Sequence, residues 1–321
     1  MKTRIAKFPT IIDTYNVLHF DSDKIDQAIE FVQKHIDING NSDYCYTPSF
    51  HVENVVVDAH KLAKRLASRC PNINLVIAEH CNLHCKYCLA AAPLVRTPCV
   101  ADMGELTTTL NHLRTICGEE HAPLSFILFG GEPTLHPQLG DIAVMIRDMF
   151  PSTELVMNTN GILLPTLSKK TLNALQTSNC HVSLSVRMLN KSSFLRTCYS
   201  RTPTSFNGRL CNHRPNTVCI INGKFGAAWY SQGTKLYANG DMLFCGSAGA
   251  AYTMQKHELI QNILVDGDDF VNIHSLHTFD DLDTFFNKDM SSFCKYCNIS
   301  KLTSGHMWSQ SLDQTVDDWF E

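Results

Sequence analysis

From residue 73 onward the chain alternates short apolar runs with amphipathic stretches. Residues 74–78 form a brief, mostly apolar run, the pattern of a strand buried on both faces. Residues 106–117 then carry apolar side chains at helical spacing. The same pairing repeats twice: strand-like 125–129 with helical 138–150, and strand-like 154–157 with helical 167–175. A fourth strand-like run covers 181–186. Such alternation predicts parallel strands joined by crossover helices. In sheets and barrels of that kind, chemistry gathers at the C-terminal ends of the strands.

The flanks follow a different rhythm. Residues 25–36 space Ile25, Ala28, Ile29 and Val32 for a helix, with Asp21 or Ser22 as its N-cap. Residues 55–57 read as a short strand. Residues 58–69 read as a helix whose polar side carries Lys61, Lys64, Arg65 and Arg69. Beyond residue 200, 235–244 predicts a hairpin about Asn239-Gly240, closed by Cys245. Gly246-Ser247-Ala248-Gly249 reads as a turn, and 279–286 as a helix. No internal repeat or low-complexity linker interrupts the chain.

Length and composition narrow the class. With 321 residues, roughly two domains and a full core are expected, and 44% hydrophobic content fits a globular chain. No apolar run approaches the ~18 residues of a transmembrane helix. Residues 1–9 lack the apolar centre of a signal peptide, so a cytoplasmic, non-membrane protein is expected. The net charge of -4 speaks against a broad nucleic-acid face; the basic 58–69 stretch leaves a local one open. Fourteen cysteines in a chain of this length point to metal or catalysis rather than a disulfide framework, and to oxygen sensitivity.

Three of those cysteines stand together. Cys81, Cys85 and Cys88 have the spacing Cys-x3-Cys-x2-Cys directly after the first predicted strand. Three thiolates on one loop can hold three irons of a four-iron cluster and leave the fourth open to a ligand. A zinc knuckle with His80 or His84 as fourth ligand is the alternative. Gly130-Gly131-Glu132-Pro133 ends the second strand; alone it is an ordinary turn. Asn158, Asn160, Ser183, Ser185 and Arg187 sit at the third and fourth strand ends, where capping would also place such residues.

Cys81-x3-Cys85-x-Tyr87-Cys88, together with the Gly-Gly-Glu turn, resembles the signature of the radical S-adenosylmethionine enzymes. The resemblance covers about residues 73–300. It implies an α/β fold: a partial (β/α)6 barrel, here abbreviated, because 186–235 is short for two further strand–helix units. Residues 1–72 would be an accessory region, 73–205 the barrel, and 206–321 a small cluster-binding domain. Cys81, Cys85 and Cys88 would bind the [4Fe-4S] cluster, whose open iron takes the amino and carboxylate groups of S-adenosylmethionine. Tyr87 would pack near the adenine. Gly130, Gly131, Glu132 and Pro133 would face the methionine ammonium, and Asn160, Ser183 and Ser185 the ribose and carboxylate. No Asp stands near Ser185, where the family often has one.

The C-terminal cysteines resemble the family's "twitch" or shortened SPASM extension, which binds one auxiliary iron–sulfur cluster. The ligands would be Cys219, Cys245, Cys294 and Cys297, with Cys211 as the alternative first ligand; structural zinc on the same four thiolates is the other reading. Most remaining cysteines read as small buried residues. Cys198 or Cys211 could donate a hydrogen atom to a substrate radical, and His121, His136 and His181 are candidate bases or structural histidines. The implied enzyme generates a 5′-deoxyadenosyl radical and takes hydrogen from a peptide side chain or small polar metabolite, giving oxidation, cross-linking or epimerisation. Its electron donor would be a flavodoxin or ferredoxin. Modification of a nucleotide or nucleic-acid base, and a non-catalytic iron–sulfur or zinc scaffold, are the alternatives.

Overall fold

A computed structural model of the chain describes residues 2–4, 16–39, 41–42, 56–58, 72–86, 88, 90–188, 219–221, 224–226, 234–244, 246–286, 291–293 and 310–316. The strands are β1 (Lys2–Arg4), β2 (Asn16–Phe20), β3 (Asn41–Ser42), β4 (Val56–Asp58), β5 (Ile73–Ala78), β6 (Ser125–Gly130) and β7 (Glu154–Thr159). They continue as β8 (Cys180–Met188), β9 (Cys219–Ile221), β10 (Lys224–Gly226), β11 (Thr234–Leu236), β12 (Asp241–Leu243) and β13 (Phe270–Asn272). The helices are α1 (Ile25–His35), α2 (Met103–Cys117), α3 (Leu139–Met149), α4 (Lys169–Thr177), α5 (Gly246–Lys256) and α6 (Phe279–Phe286).

The main sheet has the order β13-β12-β11-β5-β6-β7-β8-β2, and β3 also pairs with β8. β11, β5, β6, β7 and β8 run parallel, the arrangement predicted from the strand–helix alternation for 74–186. It is the parallel-rich α/β sheet of a partial barrel. Helices cover one face. Ile73, Leu75 and Ile77 of β5 and Phe126 and Leu128 of β6 are buried there with Leu106, Leu110 and Leu113 of α2 and Ile142 and Ile146 of α3. The alternate residues Ile127, Phe129, Val156 and Asn158 lie on the other face and are only half-buried. At β5 and β11 that face is covered by α5: Val76 packs with Tyr237, Leu243 and Tyr252, and Lys235 lies against Gly249.

Element ends follow local chemistry. Asp102 caps α2, its Oδ1 accepting from the N–H groups of Gly104 (2.8 Å) and Glu105 (2.9 Å). Ser168 caps α4 by accepting from Thr171 N–H. The expected cap of α1 is absent: a 3-10 turn at Ser22–Lys24 precedes it, with no side-chain cap. Ser22 instead donates to Asn179 Oδ1 at 2.8 Å, tying that turn to the start of β8.

Both flanks join the sheet. β2 pairs antiparallel along β8, and Ile25, Ala28 and Val32 of α1 are buried in the main core. The predicted hairpin forms as β11 and β12 about Asn239-Gly240, and its first strand pairs parallel with β5. The expected turn at 246–249 is overturned, because those residues open α5. Burial decides: Ala248, Ala250, Ala251 and Met254 are all nearly inaccessible. Gly249 is needed inside this helix because Lys235 crosses it; an added Cβ would stand 2.2 Å from Lys235 Cδ. The predicted helix over 58–69 lies outside the described residues, apart from Asp58 at the end of β4.

Candidate active site

The site is built from three consecutive strand ends and the interior of the next strand, β8. β5 runs into the cysteine loop, β6 into Gly130-Gly131-Glu132-Pro133, β7 into Thr159-Asn160-Gly161, and β8 carries Ser183 and Ser185. Backbone bonds tie the first two together: Gly131 N–H donates to Ala78 O (2.7 Å) and Glu132 N–H to His80 O (3.0 Å). The glycines make this possible. A Cβ on Gly130 would lie 1.9 Å from Ala78 O, and one on Gly131 2.1 Å from His80 O. These glycines therefore admit the backbone of the cysteine loop itself.

Glu132 is 1% exposed. Its Oε1 accepts from Thr134 Oγ1 (2.5 Å), Thr159 Oγ1 (2.6 Å) and Thr134 N–H (3.1 Å), and its Oε2 from Asn160 N–H (2.8 Å). Burial pushes the carboxyl above its ordinary range, and those hydrogen bonds oppose the shift. The side chain thus knits the ends of β6 and β7 together. Asn160 continues the chain of contacts: its Nδ2 donates to Asn82 Oδ1 at 2.7 Å and lies 3.8 Å from Cys81 Sγ.

Cys85 is buried, and Cys81 and Cys88 are half-buried. Leu83 N–H points at Cys81 Sγ at 3.3 Å. Burial raises the Cys81 thiol well above the usual range, and the Glu132 carboxylate adds to it. A buried sulfur supplied with N–H donors but disfavoured as a free thiolate is suited to a bound cation, which supplies the missing charge. Among the described residues no three His, Cys, Asp or Glu side chains converge on a single-ion site. A four-iron cluster needs no such convergence, since each thiolate meets a different iron. Three cysteine thiols on one loop, one buried and two half-buried, are the donor type that a four-iron cluster takes.

Several predicted positions take defined places. Pro133 begins a buried 3-10 turn, and Ser183 is buried on β8 with Ser185 half-buried beyond it. His136 is structural: its Nε2 donates to Ala101 O (3.1 Å) and its Nδ1 accepts from Gln138 N–H (3.0 Å). His181 Nδ1 lies 3.5 Å from Asp21. Cys219 opens β9. Tyr87, Cys198, Cys211, Cys245, Cys294 and Cys297 lie outside the described residues.

Other contributors carried no sequence signal. Glu79, just before the loop, is buried and accepts from Lys256 Nζ (2.5 Å) and His257 Nε2 (3.1 Å) at the end of α5. Thr134, Thr159 and Asn82 hold Glu132 and Asn160. Only the pairing of a Gly-Gly-Glu turn with polar residues at the next strand end pointed towards them.

Comparison with known proteins agrees with this arrangement. Residues 75–205 match the model of the Radical SAM superfamily. Over 100 residues the chain is 30% identical to a GTP 3',8-cyclase of Microcystis aeruginosa, covering 30% of this chain and 29% of that protein. It is 34% identical over 114 residues to molybdenum cofactor biosynthesis protein 1 of Bos taurus, covering 33% and 17%. The matched stretches thus span less than a third of either relative. Among solved structures, BtrN in complex with AdoMet and 2-DOIA aligns at a TM-score of 0.35 with 16% identity over 70% of this chain and 84% of that one. SuiB of Streptococcus suis aligns at 0.26 with 18% identity over 41% and 28%. Likeness at that level says nothing of this chain's substrate.

Proposed function

We propose that this chain is a radical S-adenosylmethionine enzyme acting on a small polar substrate or a peptide side chain. The observation that carries the reading is the fusion of the three-cysteine loop to the Gly-Gly-Glu turn through Gly131 and Glu132 N–H bonds, beside Asn160. Cys81, Cys85 and Cys88 hold a [4Fe-4S] cluster. A reduced cluster held there would supply the electron that splits S-adenosylmethionine into methionine and a 5′-deoxyadenosyl radical, which would take a substrate hydrogen atom.

The chain's own residues bind and orient. The Glu132 carboxylate fixes the turn, so the methionine ammonium is met by backbone carbonyls of 130–133 as much as by that side chain. Asn160, Ser183 and Ser185 offer hydrogen bonds along the neighbouring strand ends, and Tyr87 an aromatic face for adenine. Half-buried Phe129, Val156 and Asn158 lie on the same face of the sheet. Cys219, Cys245, Cys294 and Cys297 hold an auxiliary cluster, with Cys211 as the alternative first ligand. Cys198 and Cys211 remain candidates for hydrogen donation, and a flavodoxin or ferredoxin for the electron source.

A nucleotide substrate is the second reading. It gains from the curated relatives named GTP 3',8-cyclase, although a match over so little of their length does not carry a whole protein's substrate across. Anaerobic reconstitution with S-adenosylmethionine and dithionite tests the main claim. 5′-Deoxyadenosine is expected from the wild type and not from Cys85→Ala; equal traces from both would refute it. Iron near eight rather than four atoms per chain is expected if the auxiliary cluster is present. Loss of added GTP in the same assay selects the nucleotide reading.

A further inference from the structure

The cysteine loop is held from a direction that the strand ends do not account for. The C-terminal segment 310–316 lies along it. Gln310 forms an antiparallel bridge with Cys85. Gln310 Oε1 accepts from His84 N–H at 3.0 Å, and His84 O accepts from both Gln314 Nε2 (2.8 Å) and Ser311 N–H (3.1 Å). Every backbone polar group of His84 is thus engaged by residues more than 220 positions away.

The segment is anchored at both ends. Gln310 Nε2 donates to Asn39 O (2.7 Å), in the turn after α1. Val316 packs against the cluster formed by Ala91, Leu94, Ala250 and Met254. Gln314 Nε2 also donates to Ser311 O (2.7 Å), which stiffens the segment. It thereby joins the turn after α1, the cysteine loop and α5. Beneath it Cys85 is the most buried of the three thiols.

We propose that residues 310–316 are a built-in strap for the cluster loop, with Gln310 and Gln314 as positioning residues that fix the backbone between Cys81 and Cys85. The inference rests on the reading of those cysteines as cluster ligands. A loop of ligands fixed on one side only by its parent strand would open more readily, and each opening exposes iron to chelators and oxygen. Two glutamine side chains and one backbone N–H close the other side. They act on cluster retention and geometry rather than on substrate.

The test uses full-length, anaerobically reconstituted protein and the double variant Gln310→Met, Gln314→Met, which keeps side-chain length and removes the hydrogen bonds. Iron loss to a ferrous chelator is followed by the fading of cluster absorbance. Roughly tenfold faster loss is expected from the double variant, with a changed EPR signal of the reduced cluster and an unchanged melting temperature of the iron-free protein. Equal rates and identical EPR signals overturn the strap while leaving the cluster itself in place. An equal fall in iron-free melting temperature marks a merely structural contact and also overturns it. A wild type that holds no cluster removes the parent reading and the strap with it.

Discussion

At the scale of single residues, buried polar side chains here are locked by specific partners. Glu132 has four such bonds and His136 two. His136 also shows how a candidate base resolves into a structural residue. Nδ1 accepts from Gln138 N–H, so protonating it removes an acceptor, and burial lowers its pKa below the ordinary 6.5. A histidine with a depressed folded-state pKa contributes stability that is present above its unfolded value and is lost as pH falls through the folded one. Urea-unfolding free energy should therefore decline below about pH 6.5. His136→Gln should flatten that decline while lowering stability at neutral pH; identical slopes would show that His136 contributes nothing to it.

At the scale of elements, the sequence made the parallel strands and most of their crossover helices legible because periodicity and burial agree there. Residues 106–117, 138–150 and 279–286 fall within a few positions of α2, α3 and α6. α5 was illegible because two glycines in its first turn argue against a helix. What overrides them is tertiary: the buried Lys235 stem needs the space that Gly249 leaves. Gly131 is constrained from outside its own turn, by His80 O. Gly131→Ala should push the cysteine loop from β6 and reduce reconstituted iron several-fold. Iron at the wild-type level in that variant would mean that the junction of β5 and β6 tolerates a displacement of about an ångström.

At the scale of the whole molecule, three long-range ties converge on one loop. β6 fixes its start, Lys256 and His257 hold Glu79 just before it, and the strap closes over Cys85. The three-cysteine loop stood out in the spacing of its cysteines. Its support was not, because partners more than 170 positions apart leave no local pattern. Both flanks add strands to the sheet, so the ligand-bearing strand ends stand on a scaffold wider than four strands. The claim joining these levels is that an open iron beside Asn160 takes S-adenosylmethionine directly. Electron–nuclear double resonance on the reduced protein, with S-adenosylmethionine labelled at its amino nitrogen, measures that contact. A hyperfine coupling between label and cluster is predicted, and it should vanish in Cys85→Ala. Bound S-adenosylmethionine with no coupling to the cluster would contradict the account.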